Sequence, residues 1–427
     1  MGNTTSYTYT ARTQGGFTSY DLTGIAFPDG TSDSMSYDGN GNLISHTAAD
    51  GATDTKTYDS SGRVVVATDA NKQATSFVYN SDGSLASDKD PLGNIATYSY
   101  TPAGQASKIN DPNGGVSALT YDANGRLLTF TDPAGASVAN GYDDDGQRVA
   151  VTNQDGGIFS FTYSPTGQLA SIGDPLGNQT VYSYDAMGRR TSATDAAGET
   201  ISRTYDSVGH LLSLSDKQGP LVNYAYDVEG RALSQTDPTG KVTSFGYDPT
   251  GQLTSTTKPD GSKYTFTYDK LGRLLSLSNP LGETQSVKRD AMGRVTQVNL
   301  PGGLSSAIQF DILGRTAAIT SPNGNTWTLS NDALGRISKI TDPLGNATSR
   351  SYTGTRLTGM TLPLGTLAFT RDKNGRVTQR KYSDGTIINA AYDPMGLLTS
   401  ADGVTIQRDA MGHAVNVNGI EIGRAHV

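Results

Sequence analysis

The chain has 427 residues, of which 51 are glycine, 22 tyrosine and none cysteine, and its 33 basic and 41 acidic side chains leave a net charge of −8. Glycine at about 12% with no three-residue period and only 17 prolines excludes collagen, and 35% hydrophobic residues spread evenly along the chain exclude disorder. The lack of cysteine excludes a disulfide framework and thiol catalysis, no apolar run approaches 18 residues, and the charge balance carries no footprint for nucleic acid or anionic lipid.

By length the chain can bury a sizeable core in two or three domains. At its start, Met1-Gly2-Asn3-Thr4-Thr5-Ser6 has no basic or apolar leader region, so no secretory signal is visible. The same residues fit a loose myristoylation pattern. However, Gly2 to Tyr9 matches Gly93 to Tyr100 in its glycine and both tyrosines, so Gly2 reads as a turn glycine of a chain that begins mid-repeat.

The repeat becomes regular at Tyr37. Tyrosine recurs every 21 residues at Tyr58, Tyr79, Tyr100, Tyr121, Tyr142, Tyr163, Tyr184, Tyr205, Tyr226, Tyr247 and Tyr268. The register continues through Arg289, Phe310 and Asn331 to Tyr352, fifteen intervals without insertion or deletion. One glycine series lies four residues after the tyrosine, unbroken from Gly41 to Gly335. A second lies seven residues before it, from Gly30 to Gly345, with Lys72 the exception.

These glycines close two turns, Tyr-Asp-x-x-Gly as in Tyr121-Asp122-Ala123-Asn124-Gly125, and Asp-Pro-x-Gly as in Asp90-Pro91-Leu92-Gly93. In each, aspartate accepts from the backbone two residues on, proline presets φ, and glycine suits a G1 bulge, which together close a short β-hairpin. Strand-length segments lie between the turns, with aromatics at a spacing of two, as in Tyr182/Tyr184 and Tyr224/Tyr226. Two apolar series follow the tyrosine, at +6 (Leu127, Leu169, Leu274) and +9 (Phe130, Ile172, Leu277). An ideal strand turns these to opposite faces, so either a bulge intervenes or both faces are partly covered.

The expected fold class is all-β: tandem 21-residue antiparallel hairpins paired edge to edge. Sixteen repeats give about 32 strands and a sheet roughly 150 Å wide, which must curl. Two repeats match the 42 residues of a four-stranded propeller blade, but no 42-residue alternation is visible, so a spiral ribbon forming a hollow barrel-like shell is preferred.

The unit is clearest at Tyr121-Asp122-x-x-Gly125-Arg126, Tyr184-Asp185-x-x-Gly188-Arg189, Tyr226-Asp227-x-x-Gly230-Arg231 and Tyr268-Asp269-x-x-Gly272-Arg273. It resembles the YD repeat of the rearrangement-hotspot (Rhs) family, which includes bacterial polymorphic toxins, wall-associated proteins, the B and C components of Tc toxin complexes, and teneurins. The resemblance runs from about residue 2 to residue 415. It implies a shell that in toxins encloses a C-terminal effector domain, and a secreted or cell-surface location. The family's self-cleaving segment has no match here and no effector follows. Beyond Tyr352 the register loosens, to Arg371, Tyr392 and Arg408.

The expected division is residues 1–36, degenerate N-terminally truncated repeats; 37–357, the regular array; 358–421, less regular repeats; and 422–427, a non-native tail. That tail, Ile422-Gly423-Arg424-Ala425-His426-Val427, reads like a translated sequencing adapter, which marks the chain as an internal fragment.

No catalytic, cofactor or metal site is assigned. His46, His210, His413 and His426 lack a second histidine at ligand spacing, and no nucleophile elbow or phosphate-binding loop occurs. Asp143-Asp144-Asp145-Gly146 suggests calcium, but no bidentate glutamate follows, so turn-forming aspartate is the reading. The arginines after the turn glycines are expected to pair with aspartates of adjacent turns, and the tyrosines to form packing ladders. Trp327 fits no repeat position. The sequence thus points to a non-catalytic shell segment. The alternative is an adhesion module whose stacked tyrosines, such as Tyr224 and Tyr226, bind glycans or a surface receptor. Edge strands are expected to make the chain self-associate.

Overall fold

The computed structural model describes residues 4–409 and 411–421. Gly2 and the tail at 422–427, with the readings placed on them, lie outside the described residues. Among the described residues there are 41 strands and one short 3-10 turn, Pro301–Gly303. Every strand pairs antiparallel with the next in sequence, from Ser6–Gln14 against Phe17–Ala26 to Ala414–Val417 against Ile420–Glu421. The chain is thus an all-β meander wound as a spiral shell.

Both turns have the geometry that their residues encode. In the first, Gly125 N–H donates to Asp122 O at 3.0 Å and Asp122 N–H to Arg126 O at 3.0 Å. Asp122 Oδ1 accepts from the backbone of Asn124 and Arg126, both at 2.9 Å. The Asp111–Gly115 turn repeats the pattern. The fourth residue is left-handed, with φ 81° at Gly125. Lys72 takes the same conformation at φ 62° without being glycine.

The strand after each tyrosine is bulged. Thr120 pairs with Thr129 but Tyr121 pairs with Leu127, which leaves Leu128 unpaired. The same shift occurs at Tyr142, Tyr163, Tyr184 and Tyr226. Because opposed residues share a face, Leu127 joins Tyr121 while Phe130 joins Leu119 on that same face. The bulge therefore brings the +6 and +9 apolar series together, and settles which alternative holds. The other face carries hydroxyls that bond in pairs across the strands, Thr120–Thr129 and Thr204–Ser213 at 2.6 Å and Thr162–Ser171 at 2.7 Å.

The expectation of a sizeable core is not met. Of the described side chains none is fully buried, and only Val222 and Ala318 among the apolar ones fall below a tenth exposed. A single sheet has no second layer to cover it, so the apolar face remains half-buried along its length. Trp327 also has a repeat position after all. It lies opposite Ile319, four residues before Asn331, where Phe159 stands before Tyr163.

Irregular spacings trace to the turns. Tyr9 shows the usual bulge, pairing with Leu22, but its turn is drawn out into a projecting hairpin closed by Gly15-Gly16. This accounts for the 28 residues from Tyr9 to Tyr37. After Tyr352, two-residue turns such as Asp402-Gly403 and Asn418-Gly419 replace the longer loops and shorten the period. Both residues of each are left-handed, with φ 46° and 82° at Asp402 and Gly403.

Candidate functional site

The recurring side-chain cluster is the turn that follows each tyrosine. The bulge leaves a carbonyl group at +6 beside the interrupted ladder, and the tyrosine of the next repeat caps it. Tyr121, Tyr184, Tyr226 and Tyr268 donate their hydroxyls to the carbonyls of Ala106, Leu169, Leu211 and Leu253 at 2.9, 2.8, 2.9 and 2.7 Å. Ten further tyrosines make the same bond fifteen residues back, as in Tyr37, Tyr163 and Tyr352. Where arginine replaces tyrosine the bond survives, since Arg289 Nη2 reaches Leu274 O at 3.1 Å.

Aspartate and arginine complete the unit. Arg126, Arg189, Arg231 and Arg273 donate through Nε to Asp122, Asp185, Asp227 and Asp269 of their own turns at 2.6, 2.7, 2.6 and 2.6 Å. This corrects the expected pairing with adjacent turns. Five residues of type I turn plus bulge bring the carboxylate and guanidinium of one loop together before a neighbour can reach either. The adjacent repeat is met instead through its ring and its main chain. Arg126 lies 4.8 Å from the Tyr142 centroid, Arg189 4.9 Å from Tyr205 and Arg231 5.1 Å from Tyr247. Arg189 Nη1 donates to Asp206 O at 2.7 Å.

These bonds hold the turn carboxyls ionised. Asp122 and Asp185 are shifted below the ordinary carboxylate range, foremost by the backbone N–H of Arg126 and Arg189. His210 stands in the arginine position, stacked on Tyr226 at 4.9 Å and bonded to Asp206 at 2.7 Å. There burial opposes ionisation, but the imidazole and three backbone donors prevail and bring Asp206 to about 2.

A second arrangement forms where one winding of the ribbon meets the next. Arg273 Nη2 reaches Asp29 at 3.3 Å and Arg294 Nη2 reaches Asp50 at 2.9 Å, each 244 residues away. Asn113 and Thr355 exchange two hydrogen bonds at 2.9 and 3.2 Å, and Asn374 bonds Asp132 at 2.7 Å. Eleven repeats separate Tyr37 from Tyr268, so about 22 strands, some 105 Å measured across them, complete one winding. The Asp-Pro-x-Gly rim of the first winding thereby docks on the Tyr-Asp rim of the second.

The pairing of rims across this seam was not foreseen, although a signal existed. The residue three after the tyrosine is polar in early turns (Asn40, Ser61, Asp82, Asn124) and apolar at Leu271, Met292, Leu313, Leu334 and Met395 along the seam, although Met187 and Val208 are apolar at the same position away from it. Between the seam contacts a cavity of about 570 Å³ opens, lined by Lys56, Asp69, Gln73 and Arg315 among others. Among the described residues no group of three or more His, Asp or Glu side chains could hold a metal ion, and no helix is long and apolar enough to cross a membrane.

The teneurin YD-shell family model matches residues 28–200 and 197–362. Among solved structures, the crystal structure of TcdB2-TccC3 superposes with a TM-score of 0.67 at 14% identity, covering 96% of this chain and 31% of that one. The Tc holotoxin pore of Photorhabdus luminescens gives 0.55 at 14% identity, covering 98% and 27%. This chain thus spans under a third of the length of those chains. No curated protein sequence matches it.

Proposed function

Because the chain belongs to the teneurin YD-shell family, we propose that it is a non-catalytic wall segment of a secreted or cell-surface protein whose shell encloses a C-terminal effector domain. One observation carries this reading: a wall one sheet thick, with no fully buried side chain among the described residues, closes on itself after a full winding. Such a wall leaves both faces accessible, which serves a container and would be wasteful in a compact domain.

The test is to express the chain together with the reading frame that follows it at its genomic locus and to challenge the product with protease. The downstream domain is expected to survive intact alongside the wall and to be cut once the wall is unfolded. Cleavage as fast as that of the free domain would refute enclosure. A second reading, adhesion, is favoured by Tyr7, Tyr9, Phe17 and Tyr20, which are 56, 56, 83 and 69% exposed on the first hairpin. Tyr226 is less suited, with its ring on His210 and its hydroxyl on Leu211. Glycan-array binding that is lost in Phe17→Ala/Tyr20→Ala would support adhesion.

A further inference from the structure

The seam repeats one contact and then omits it. Arg273 meets Asp29 and Arg294 meets Asp50, each aspartate standing third in its turn and 244 residues before its arginine. The same spacing sets Arg315 against Asn71 and Arg336 against Leu92, so at these two rungs the chain supplies no carboxylate in that place. Arg315 turns Nη2 back on Asp311 of its own turn at 2.6 Å. Bonds across the seam resume where Asn113 meets Thr355. Both sides of the gap are thus tied within the chain, and the cavity of about 570 Å³ lies between them. That volume falls in the range of small-ligand sites.

The ionised groups on its wall are short of partners. Asp54 and Lys56 stand on one face of the strand Thr53–Tyr58. Among the described residues neither forms an ion pair, and His46, opposite Asp54 across the strands, bonds Asp33 instead at 3.3 Å. Asp69 accepts at Oδ1 from the backbone of Asn71 and Gln73 at 2.9 and 2.8 Å. Among the described residues its Oδ2 lacks the side-chain donor that Asn94 gives Asp90, because Gln73 Nε2 bonds Asn71 O at 3.2 Å. The cavity is therefore lined by two cations, Lys56 and Arg315, and two carboxylates, Asp54 and Asp69, and Pro91, Leu313 and Leu334 add apolar surface.

We propose that this cavity binds a small zwitterion with an apolar body, a free amino acid or short peptide, whose carboxylate takes the place of the missing aspartate before Arg315 and whose ammonium meets Asp69. An anion alone is repelled by the two carboxylates and a cation alone by Lys56 and Arg315, whereas a molecule that carries both charges pairs with each. Hydrogen bonds to charged groups are the stronger kind, so both ends of the ligand contribute to affinity.

The test is calorimetric titration of the full chain with the dipeptide Gly-Leu, with its N-acetyl form, which lacks the ammonium, and with its C-terminal amide, which lacks the carboxylate. Saturable binding of Gly-Leu is expected, with each single-charge analogue weaker by about tenfold or more. Asn71→Asp supplies from the chain the carboxylate that Asp29 and Asp50 supply at their rungs, and it is expected to abolish binding while Arg315 stays in place. Arg315→Gln is expected to do the same, and glutamine is the residue that other repeats carry there, as at Gln147 and Gln252. Melting curves no lower than that of the unaltered chain establish that Asn71→Asp folds. Absence of binding at millimolar Gly-Leu would overturn the proposal. So would analogues that bind as well as the dipeptide, or an Asn71→Asp chain that binds it unchanged.

Discussion

The hydroxyl of Tyr184 donates to the carbonyl oxygen of Leu169 at 2.8 Å, across the strand pair that the Asp174 turn closes. Removing that hydroxyl in Tyr184→Phe leaves the ring in place and the carbonyl beside the bulge without its donor. Stability is expected to fall by about 1 kcal/mol, read from urea unfolding. Phe310 provides the reverse case, since Phe310→Tyr places a hydroxyl where fourteen other repeats have one and is expected to gain a similar amount. A loss in the second variant would show that the bond does not stabilise the repeat.

Lys72 is the one residue in its turn series that holds a left-handed conformation with a side chain, at φ 62°. Lys72→Gly removes the clash between Cβ and carbonyl and is expected to stabilise the chain by about 1 kcal/mol, seen as a higher melting temperature.

Acid should open the turns. Asp122 and Asp185 have depressed pKa values in the folded chain, and Asp206 is brought to about 2, against an unfolded value near 3.9. A depressed pKa contributes stability that is complete above the unfolded value and disappears as pH falls through the folded one. The urea midpoint should hold level from neutrality to about pH 4.5 and decline between about pH 4 and 2. A flat profile down to pH 2 would contradict this.

The seam can be tested against other ways of folding the ribbon. The chain has no cysteine, so Asp50→Cys/Arg294→Cys introduces two isolated thiols at a contact of 2.9 Å between the native side chains. A short bis-maleimide is expected to link them within one molecule, giving a single cross-linked peptide by mass spectrometry. Asp50→Cys/Arg231→Cys places the second thiol three repeats away and should remain unlinked. Equal yields from the two pairs would rule out a fixed seam.

What sequence conveys about this chain follows the range of the forces involved. The turns were legible because aspartate, proline and glycine each act within four residues. The bulge at Leu128 was only half legible: apolar residues at +6 and +9 posed the question, but the pairing of Tyr121 with Leu127 was needed to answer it. Arg126 was assigned to the wrong aspartate because spacing says nothing of how tightly a five-residue loop folds back. Least legible was the meeting of Arg273 with Asp29. It depends on a small rotation between neighbouring strands summed over about 22 of them, and no short stretch encodes that sum.

The rungs on the two rims are spaced like teeth on a pair of racks. Deleting or duplicating one whole 21-residue unit slides every later arginine by one tooth, so it still faces an acidic turn, only a different one. A change absorbed within a turn is also tolerated: the short turn between Thr353 and Arg356 drops two residues, and Asn374 still meets Asp132 across the seam. The gene can therefore lengthen or shorten by recombination between its own repeats and still specify a shell that meshes, with its circumference fixed by strand twist and its height by the number of units.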